Sequence, residues 1–330
     1  MNARQLGASL AVLGTLALGH GARARADEAA KAPQAAAPVV LARFTTTYAN
    51  DAEHKSRASN VELGAEAING KVIGAGATFS FNDSVGERTA AFGYAKSIVL
   101  RDGMIAEGMG GGACQVASTL HAAALLGGLD VVARAPHSRP SAYIRMGLDA
   151  TVAFGNLGTP AIDLKLKNPT ATALTIHAKA ARGTLEVWLD GVGATHLDVS
   201  VTSEIVERMT FSRVVERDRR AKEDTVRVKA FGIPGYRVRR TRQVRAADGT
   251  VKRDVRIDVY PATSEIVQVA PSLEESRIRV RASGDPEGES TSDASSPKEP
   301  PTVIVDPSAA RPLLVQLRPS TLVELQNAIK

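Results

Sequence analysis

A run of glycines that leads into the only cysteine of the chain is the feature that most constrains the fold. Glycine occupies positions 108, 110, 111 and 112, and Cys114 follows two residues after the last of them. Small and apolar residues then recur at helical spacing as far as Gly127 and Gly128, residues on which helices commonly end. The pattern therefore predicts a helix that begins beside Cys114, preceded by a loop with unusual backbone freedom.

A cysteine in the first turn of a helix has chemical consequences. Unpaired N–H groups and the helix dipole at that end favour the thiolate, which is the nucleophilic form. Gly110, Gly111 and Gly112 let the backbone approach a ligand closely and direct N–H groups towards it, as an oxyanion site requires. The alternative interpretation is that Cys114 is a small buried side chain and that the glycines permit tight helix packing.

Two later residues complete a candidate nucleophilic site. His137 is the predicted general base for Cys114, and Asp149 is predicted to orient the histidine ring, both on strands that follow the helix. The backbone N–H groups of Cys114 and Gln115, together with the Gln115 amide, are the expected oxyanion donors. A loop histidine and a turn-capping aspartate without a chemical role form the alternative.

Arg88 and His121 are the other polar residues that require interpretation. Arg88 either binds a substrate carboxylate through its guanidinium fork or pairs with Asp83 or Glu87, and the ion pair is the interpretation adopted here. His121 lies about 10 Å further along the helix than Cys114, so it is expected to pack or to line a pocket. No close pair of metal ligands occurs, and neither a metal nor a cofactor is predicted.

Three segments resemble the VanW-like domain family: FSFNDSVGERTAAFGYAKS at 79–97, GMGGGACQVASTLHAAALLGGLDVVARAPHS at 108–138 and GLDATVAFG at 147–155. The resemblance extends over about residues 56–190. It implies a protein of the bacterial envelope and brings no established reaction. The chain departs from the family at Ala113, Ala117 and His121, where bulkier, hydroxyl and aromatic residues are usual.

The order of cysteine on a helix, then histidine, then aspartate is similar to that of papain-like and transglutaminase-like enzymes. This similarity implies an α+β fold in which the cysteine helix packs on a mostly antiparallel sheet. Strand patterns around Leu164, Leu174 and Leu185 predict a three-stranded meander that closes this domain, assigned to residues 41–191.

The N-terminal 26 residues have the pattern of a secretory signal peptide, with Arg4, an apolar run at 6–18 and a cleavage motif ending at Ala26. Export to the periplasm or the exterior is therefore predicted, with a disordered spacer at 27–40. No other stretch is apolar and long enough to span a membrane. Removing the signal peptide lowers the formal net charge from +6 to +3, which argues against nucleic acid as a partner.

A small all-β domain is predicted at 197–280, followed by a low-complexity linker and tail at 281–330, within which residues 303–305 are expected to add a short strand. The β domain is rich in arginine and contains a hairpin that pairs residues 236–244 with residues 251–260. Val251, Val255, Ile257 and Val259 share one face of it, and the arginines are expected to form a solvated face. Residues at about 210–270 also faintly resemble the G5 module, a β domain attached to many wall-acting proteins.

These features predict an exported cell-envelope protein in which Cys114 serves a cysteine amidase, peptidase or acyltransferase acting on peptidoglycan amides. The alternative is a non-catalytic module that binds peptidoglycan or another cell-wall glycopolymer through the glycine loop and the basic hairpin. The sequence alone leaves open whether the chain is an enzyme.

Overall fold

The computed structural model of the chain describes residues 37–101, 104–155, 160–246, 248–278 and 302–305. The predicted signal peptide at 1–26, residues 27–36 of the predicted spacer, and most of the predicted linker and tail lie outside these ranges. Within the ranges, no helix combines the length and the apolar character needed to span a membrane.

Strands predominate over helices, in keeping with the predicted α+β class. The described residues form three α-helices, α1 (Lys55–Ile68), α2 (Phe81–Val85) and α3 (Ala113–Leu126), and short 3-10 helices at Ala90–Phe92 and Glu275–Arg277. The strands are β1 (Pro38–Thr47), β2 (Lys71–Ile73), β3 (Thr78–Ser80), β4 (Lys96–Arg101), β5 (Met104–Met109), β6 (Asp130–Ala133), β7 (Lys165–Lys167), β8 (Leu174–Ala181), β9 (Thr184–Val192), β10 (Asp198–Met209), β11 (Arg213–Arg217), β12 (Thr225–Ala230), β13 (Gly235–Arg245), β14 (Val251–Tyr260), β15 (Glu265–Val269) and β16 (Thr302–Val305).

The N-terminal domain, residues 38–192, is built on an antiparallel sheet with the strand order β1-β9-β8-β2. Helices α1 and α3 pack together and against this sheet, because each buries the small and apolar residues that recur at helical spacing. Leu120 of α3 is fully buried in the resulting core, as are Leu185, Val187 and Leu189 of β9. Helix α3 ends at Leu126, directly before the Gly127 and Gly128 pair that indicated its end.

The predicted three-stranded meander is wrong. Strand β7 pairs with β3 and β6 in a separate sheet, whereas β8 and β9 form a hairpin in the main sheet. The buried side chain of Asn168, just after β7, donates hydrogen bonds to the carbonyls of Ile73, Gly74 and Thr172 at 3.0, 3.2 and 2.8 Å. These bonds fix the chain where it leaves β7. The alternation of apolar and polar residues, on which the meander prediction rested, gives no information about such bonds.

The glycine loop, residues 108–112, connects the β4–β5 hairpin to α3. Asn60 of α1 is fully buried and holds this loop, because its Nδ2 donates to the carbonyls of Gly111 and Ala95 at 3.0 and 2.9 Å. A Cβ at Gly111 would lie 2.4 Å from the carbonyl oxygen of Ile98, so the approach to β4 requires glycine. Gly112 precedes α3 with a φ of 115°, a backbone conformation that glycine adopts readily.

The arginine-rich module, residues 198–278, forms two sheets with the orders β10-β13-β14 and β11-β15-β12-β16, the second of which is completed by β16 at residues 302–305. The predicted hairpin is confirmed as β13 and β14, which place Tyr236 opposite Tyr260. The predicted short strand near residue 303 is confirmed as well, since β16 pairs in parallel with β12. Part of the region assigned to the tail therefore belongs to a sheet.

The hairpin buries the face that was expected to be solvated. Val251, Val255, Ile257 and Val259 are 43 to 48% exposed, whereas Arg240 and Arg242 are 1% and 5% exposed. The two arginines share their face with Val238, which packs against Met146 of the N-terminal domain. Arg242 donates to the carbonyl of Leu129 at 2.8 Å. The prediction of a solvated arginine face is wrong for these residues, because that face covers the N-terminal domain.

Replacing Gly111 with alanine should lower the free energy of unfolding by about 1–3 kcal/mol, since the new methyl group overpacks the contact with β4. Gly74→Ala is the matched control, because a Cβ at Gly74 would make only an ordinary contact of 3.7 Å with Ala77. That control should unfold at the wild-type urea concentration or slightly above it. Equal midpoints for the two variants would contradict the packing role of Gly111.

Candidate functional site

Cys114 and His137 line a cleft of about 1110 Å³, and Asp149 lies behind His137. Cys114 is the second residue of α3, and its half-buried thiol interacts with the side chain of His137. The backbone N–H of Val152 also donates to Sγ, at 3.5 Å. The three residues singled out from the sequence are thus brought together at one side of the cleft.

The histidine ring is fixed by the carboxylate. Nδ1 of His137 lies 2.7 Å from Oδ2 of Asp149, and the backbone N–H of His137 donates to the same oxygen at 2.7 Å. Because Nδ1 donates to the carboxylate, Nε2 is the ring nitrogen left to interact with Cys114, and it lies 3.3 Å from the hydroxyl of Tyr143. His137 and Asp149 lie on loops, which corrects the prediction that strands carry them. A single bridge between Ala135 and Thr151 joins the two loops.

The buried carboxylate of Asp149 has partners from both parts of the chain. Its Oδ1 accepts hydrogen bonds from Arg134 at 2.9 Å and from the hydroxyl of Tyr260 at 2.5 Å. Arg134 also pairs with Asp258 at 2.5 Å, and its side chain is 1% exposed. Tyr260 and Asp258 lie on β14. The arginine-rich module therefore supplies groups that hold the orienting residue in place.

The pKa values at the site follow from burial and these contacts. Burial raises the pKa of the Cys114 thiol, but the hydrogen bond and charge of His137, the Val152 N–H and the Arg88 charge hold it below its ordinary value. Burial lowers the pKa of His137, yet Tyr143, Asp149 and Cys114 together raise it well above the usual range. Burial acts to raise the pKa of Asp149, and His137, Arg134 and Tyr260 outweigh it, so this pKa is lowered. A thiolate facing an imidazolium ion is the state these shifts favour.

The Gln115 side chain is not available as an oxyanion donor, which corrects that expectation. It is fully buried, and its amide nitrogen Nε2 donates to Thr46 Oγ1 at 3.0 Å and to the Thr47 carbonyl at 2.9 Å. Its backbone N–H is also used, since it donates to the Gly112 carbonyl at 2.9 Å. Within the described residues, the N–H groups of Gly111, Gly112 and Cys114 have no hydrogen-bond partner, whereas that of Gly110 donates to Ala95.

Arg88 lines the cleft and pairs with neither Asp83 nor Glu87, so the ion-pair interpretation is wrong. Its guanidinium donates to Oδ1 of Asn82 at 3.2 and 3.3 Å and lies over the ring of Phe154, 4.8 Å from the centroid. The guanidinium is thus held by an amide oxygen and an aromatic face, neither of which neutralises its charge.

His121 is buried in α3, as expected for a packing residue. Its Nδ1 donates to the carbonyl of Leu148 at 2.7 Å, and burial lowers its pKa to about 3, so the ring stays neutral. Among the described residues, it shares no group of potential metal ligands with Cys114 and His137.

Four contributors to the site escaped the sequence analysis: Asn60, Arg134, Tyr143 and Tyr260. Asn60 lies on the buried face of α1, where a polar residue interrupts the apolar pattern, and this interruption was a usable signal. Arg134, Tyr143 and Tyr260 carry no local signal, because their roles arise from contacts between distant segments.

Comparison with known proteins finds a family model that matches the part of the chain containing the site. Residues 56–189 match the family described as VanW like protein, which confirms the resemblance read from the sequence. The matched segment runs from α1 into β9 and contains Cys114, His137 and Asp149.

Two curated relatives cover the same part of the chain. The chain is 39% identical over 143 residues to "Uncharacterized protein YoaR" of Bacillus subtilis (strain 168), covering 43% of this chain and 45% of the relative. It is 30% identical over 121 residues to "Vancomycin B-type resistance protein VanW" of Enterococcus faecalis (strain ATCC 700802 / V583), covering 35% and 42%. The chain therefore spans less than half the length of the curated relatives it matches.

A solved structure titled "IgA1 Protease G5 domain structure" aligns with 23% of this chain and 93% of its own length. The alignment has 20% sequence identity and a TM-score of 0.18.

Tyr260→Phe should lower the free energy of unfolding by about 1–3 kcal/mol, because it leaves the Gly147 N–H and one Asp149 lone pair without the Tyr260 hydroxyl. Tyr236→Phe is the matched control, since the Tyr236 hydroxyl, on the partner strand of the hairpin, has no hydrogen bond within the described residues. Chemical denaturation of both variants measures the difference. Equal stability of the two variants would contradict the role assigned to the Tyr260 hydroxyl.

Proposed function

We propose that the protein is an exported cysteine hydrolase or acyltransferase that acts on an amide bond, with Cys114 as nucleophile, His137 as general base and acid, and Asp149 as orienting residue. The observation that carries the proposal is the hydrogen-bonded pair of the His137 imidazole and the buried Asp149 carboxylate, with the imidazole and the interacting Cys114 thiol lining one cleft. These groups have the roles that nucleophile, base and orienter take in papain-like and transglutaminase-like enzymes.

In the first half of the reaction the Cys114 thiolate attacks the amide carbonyl carbon and forms a C–S bond. The carbonyl oxygen becomes an oxyanion, and the N–H groups of Gly111, Gly112 and Cys114 are the proposed donors to it. The His137 imidazolium then gives its proton to the amide nitrogen as the C–N bond breaks. An amine leaves and a thioester remains on Cys114.

In the second half a water molecule or an acceptor amine attacks the thioester. His137, now neutral, takes the proton of the attacking group while the C–S bond breaks. A carboxylic acid or a new amide leaves, and the thiolate and imidazolium are restored. Asp149 stays ionised throughout, since its lowered pKa keeps it a carboxylate beside the charged ring.

Peptidoglycan amides are the proposed substrates. The signal-peptide pattern of residues 1–26 supports export to the periplasm or the exterior, where cell-wall polymers are accessible. The name of the vancomycin-resistance relative supports a function connected with the cell envelope. No cofactor is required by the mechanism proposed here.

A binding module for peptidoglycan or another glycopolymer is the second candidate function. The size of the cleft and its three arginines, Arg57, Arg88 and Arg139, favour it, because these features serve recognition whether or not Cys114 reacts. Cys114→Ala separates the two functions, since it removes the nucleophile and leaves the cleft walls intact.

Alkylation of Cys114 should remain fast well below pH 8.5, the ordinary pKa of a cysteine thiol being about 8.5. His137→Ala should move the pH midpoint of the alkylation rate up towards that value, because it removes the charge that stabilises the thiolate. Iodoacetamide labelling followed by intact-mass measurement reports this residue alone, since the chain has one cysteine. A thiol that is inert in the folded protein, or a midpoint unchanged by His137→Ala, would overturn the proposed mechanism.

Incubation with purified cell walls should release or join amide-linked fragments, and Cys114→Ala should abolish this reaction while retaining wall binding. Mass spectrometry of the soluble fragments measures the chemistry, and a pull-down in low and high salt measures the binding. Binding by both proteins with identical fragment profiles would instead favour the binding module.

A further inference from the structure

The walls of the Cys114 cleft carry an excess of positive charge. Arg57, Arg88 and Arg139 line it, and Glu87 is the acidic residue among the lining side chains of the described chain. Within the described residues, none of the three arginines forms an ion pair with a carboxylate. Arg134, which lies behind the site, differs from these three arginines because it forms ion pairs with two buried aspartates.

The contacts of Arg57 and Arg88 leave their charges unneutralised and hold their planes in place. Arg57 donates to Oε1 of Gln115 at 2.9 Å and lies over the ring of Tyr143, 5.8 Å from the centroid. Arg88 contacts Asn82 and Phe154 in the same manner. Each guanidinium carries five N–H donors, so donors remain for a ligand, and a planar fork matches the two oxygens of a carboxylate.

The Arg88 guanidinium acts on the reacting sulfur, and the sulfur acts on both guanidinium groups. The Arg88 charge contributes to the lowered pKa of Cys114, and the Cys114 charge in turn acts to raise the pKa values of Arg57 and Arg88, which burial lowers. An anionic group bound by these arginines would share the cleft with the thiolate, because Arg57, Arg88, Arg139 and Cys114 all line it.

The rim of the cleft is apolar. Ile98, Met109 and Phe154 line it and are 57%, 37% and 41% exposed. An apolar rim around a cationic wall suits an organic acid with apolar substituents better than a bare inorganic anion, which has no surface for these side chains to cover.

We propose that the Cys114 cleft binds a substrate carboxylate on Arg88, Arg57 and Arg139, next to the acyl group that Cys114 attacks. The substrate class is an acidic peptide, whose carboxylate is either the chain terminus or an acidic side chain. This assignment rests on the proposed function, because it names the substrate of the same site.

Paired alkylating reagents test the proposal at the sulfur itself. Iodoacetate and iodoacetamide differ mainly in the carboxylate, and each alkylates a thiolate with loss of iodide. The rate with iodoacetate divided by the rate with iodoacetamide is the measured ratio. At Cys114 this ratio, divided by the same ratio for glutathione, should be about ten, as expected for a partly desolvated charge pair. High salt should reduce this normalised ratio in the wild-type protein, because the cleft is open to screening.

Arg88→Gln and Arg139→Gln should each reduce the normalised ratio by about threefold or more, since each removes one cation. Arg227→Gln is the matched control, because Arg227 is an exposed arginine of β12 outside the cleft, and it should leave the ratio unchanged. Thermal unfolding of each variant verifies the fold. A normalised ratio near one in a wild-type protein whose Cys114 is activated would overturn the carboxylate assignment and leave the proposed chemistry standing.

Binding to Cys114→Ala tests the same assignment without any chemistry. Calorimetry should detect N-acetylglycine, which has a terminal carboxylate, or N-acetylaspartic acid α-amide, which has a side-chain carboxylate, and should not detect the neutral N-acetylglycinamide. Whichever acid binds identifies the source of the carboxylate. Binding of inorganic phosphate alone, or equal binding of acid and neutral amide, would overturn the proposal. If Cys114 is inert and the acids nevertheless bind, the proposed enzymatic function fails and the carboxylate-binding site stands.

Discussion

The buried carboxylate of Asp149 is the group on which the site and its connection to the arginine-rich module depend. An ionised carboxylate removed from water is tolerated only when charged or hydrogen-bonding partners surround it. Here the partners are the His137 ring and backbone, Arg134 and the Tyr260 hydroxyl. Since Tyr260 lies on β14, the N-terminal domain does not complete this set of partners without the module. The two parts of the chain therefore form one structural unit around a single charge.

Buried polar groups need partners, and this requirement explains why the β10-β13-β14 sheet presents arginine, aspartate and serine to the N-terminal domain. The surface that it covers includes loop backbone at Leu129 and at Met146 and Gly147, and loop backbone has polar groups that no ladder satisfies. Arg242 donates to the carbonyl of Leu129, Ser203 donates to that of Met146, and the Tyr260 hydroxyl accepts from the N–H of Gly147. An apolar sheet face would leave these groups buried without partners. The apolar residues of β14 are consequently displaced to the outer face.

The sequence allowed prediction of those parts whose signal is local. Helical spacing and a glycine end predicted α3, a turn with alternating flanks predicted the β13–β14 hairpin, and helix-end chemistry singled out Cys114. His137 and Asp149 were nominated from residue type and order, and their proximity depends on a bridge between loops. The assignment of Gln115 failed because a glutamine's hydrogen-bond partners are invisible in sequence. Tyr260 was beyond reach, since 111 residues separate it from Asp149.

Burying charged groups at the interface between the two parts of the chain carries a desolvation penalty, and the attraction between the charges offsets much of that penalty without adding much to the free energy of unfolding. Arg240 Nε and Nη1, Arg242 Nε and Asp258 Oδ2 are buried and have no hydrogen-bond partner within the described residues. Well-packed apolar residues often stabilise an interface at least as well as buried ion pairs. Such residues would, however, remove the cation and the hydroxyl that lower the pKa of Asp149. A protonated Asp149 would no longer support a charged His137, and His137 is the main group that lowers the pKa of Cys114. The polar groups that surround Asp149 at the interface therefore serve the charge state of the site, in addition to the backbone groups that the same sheet satisfies.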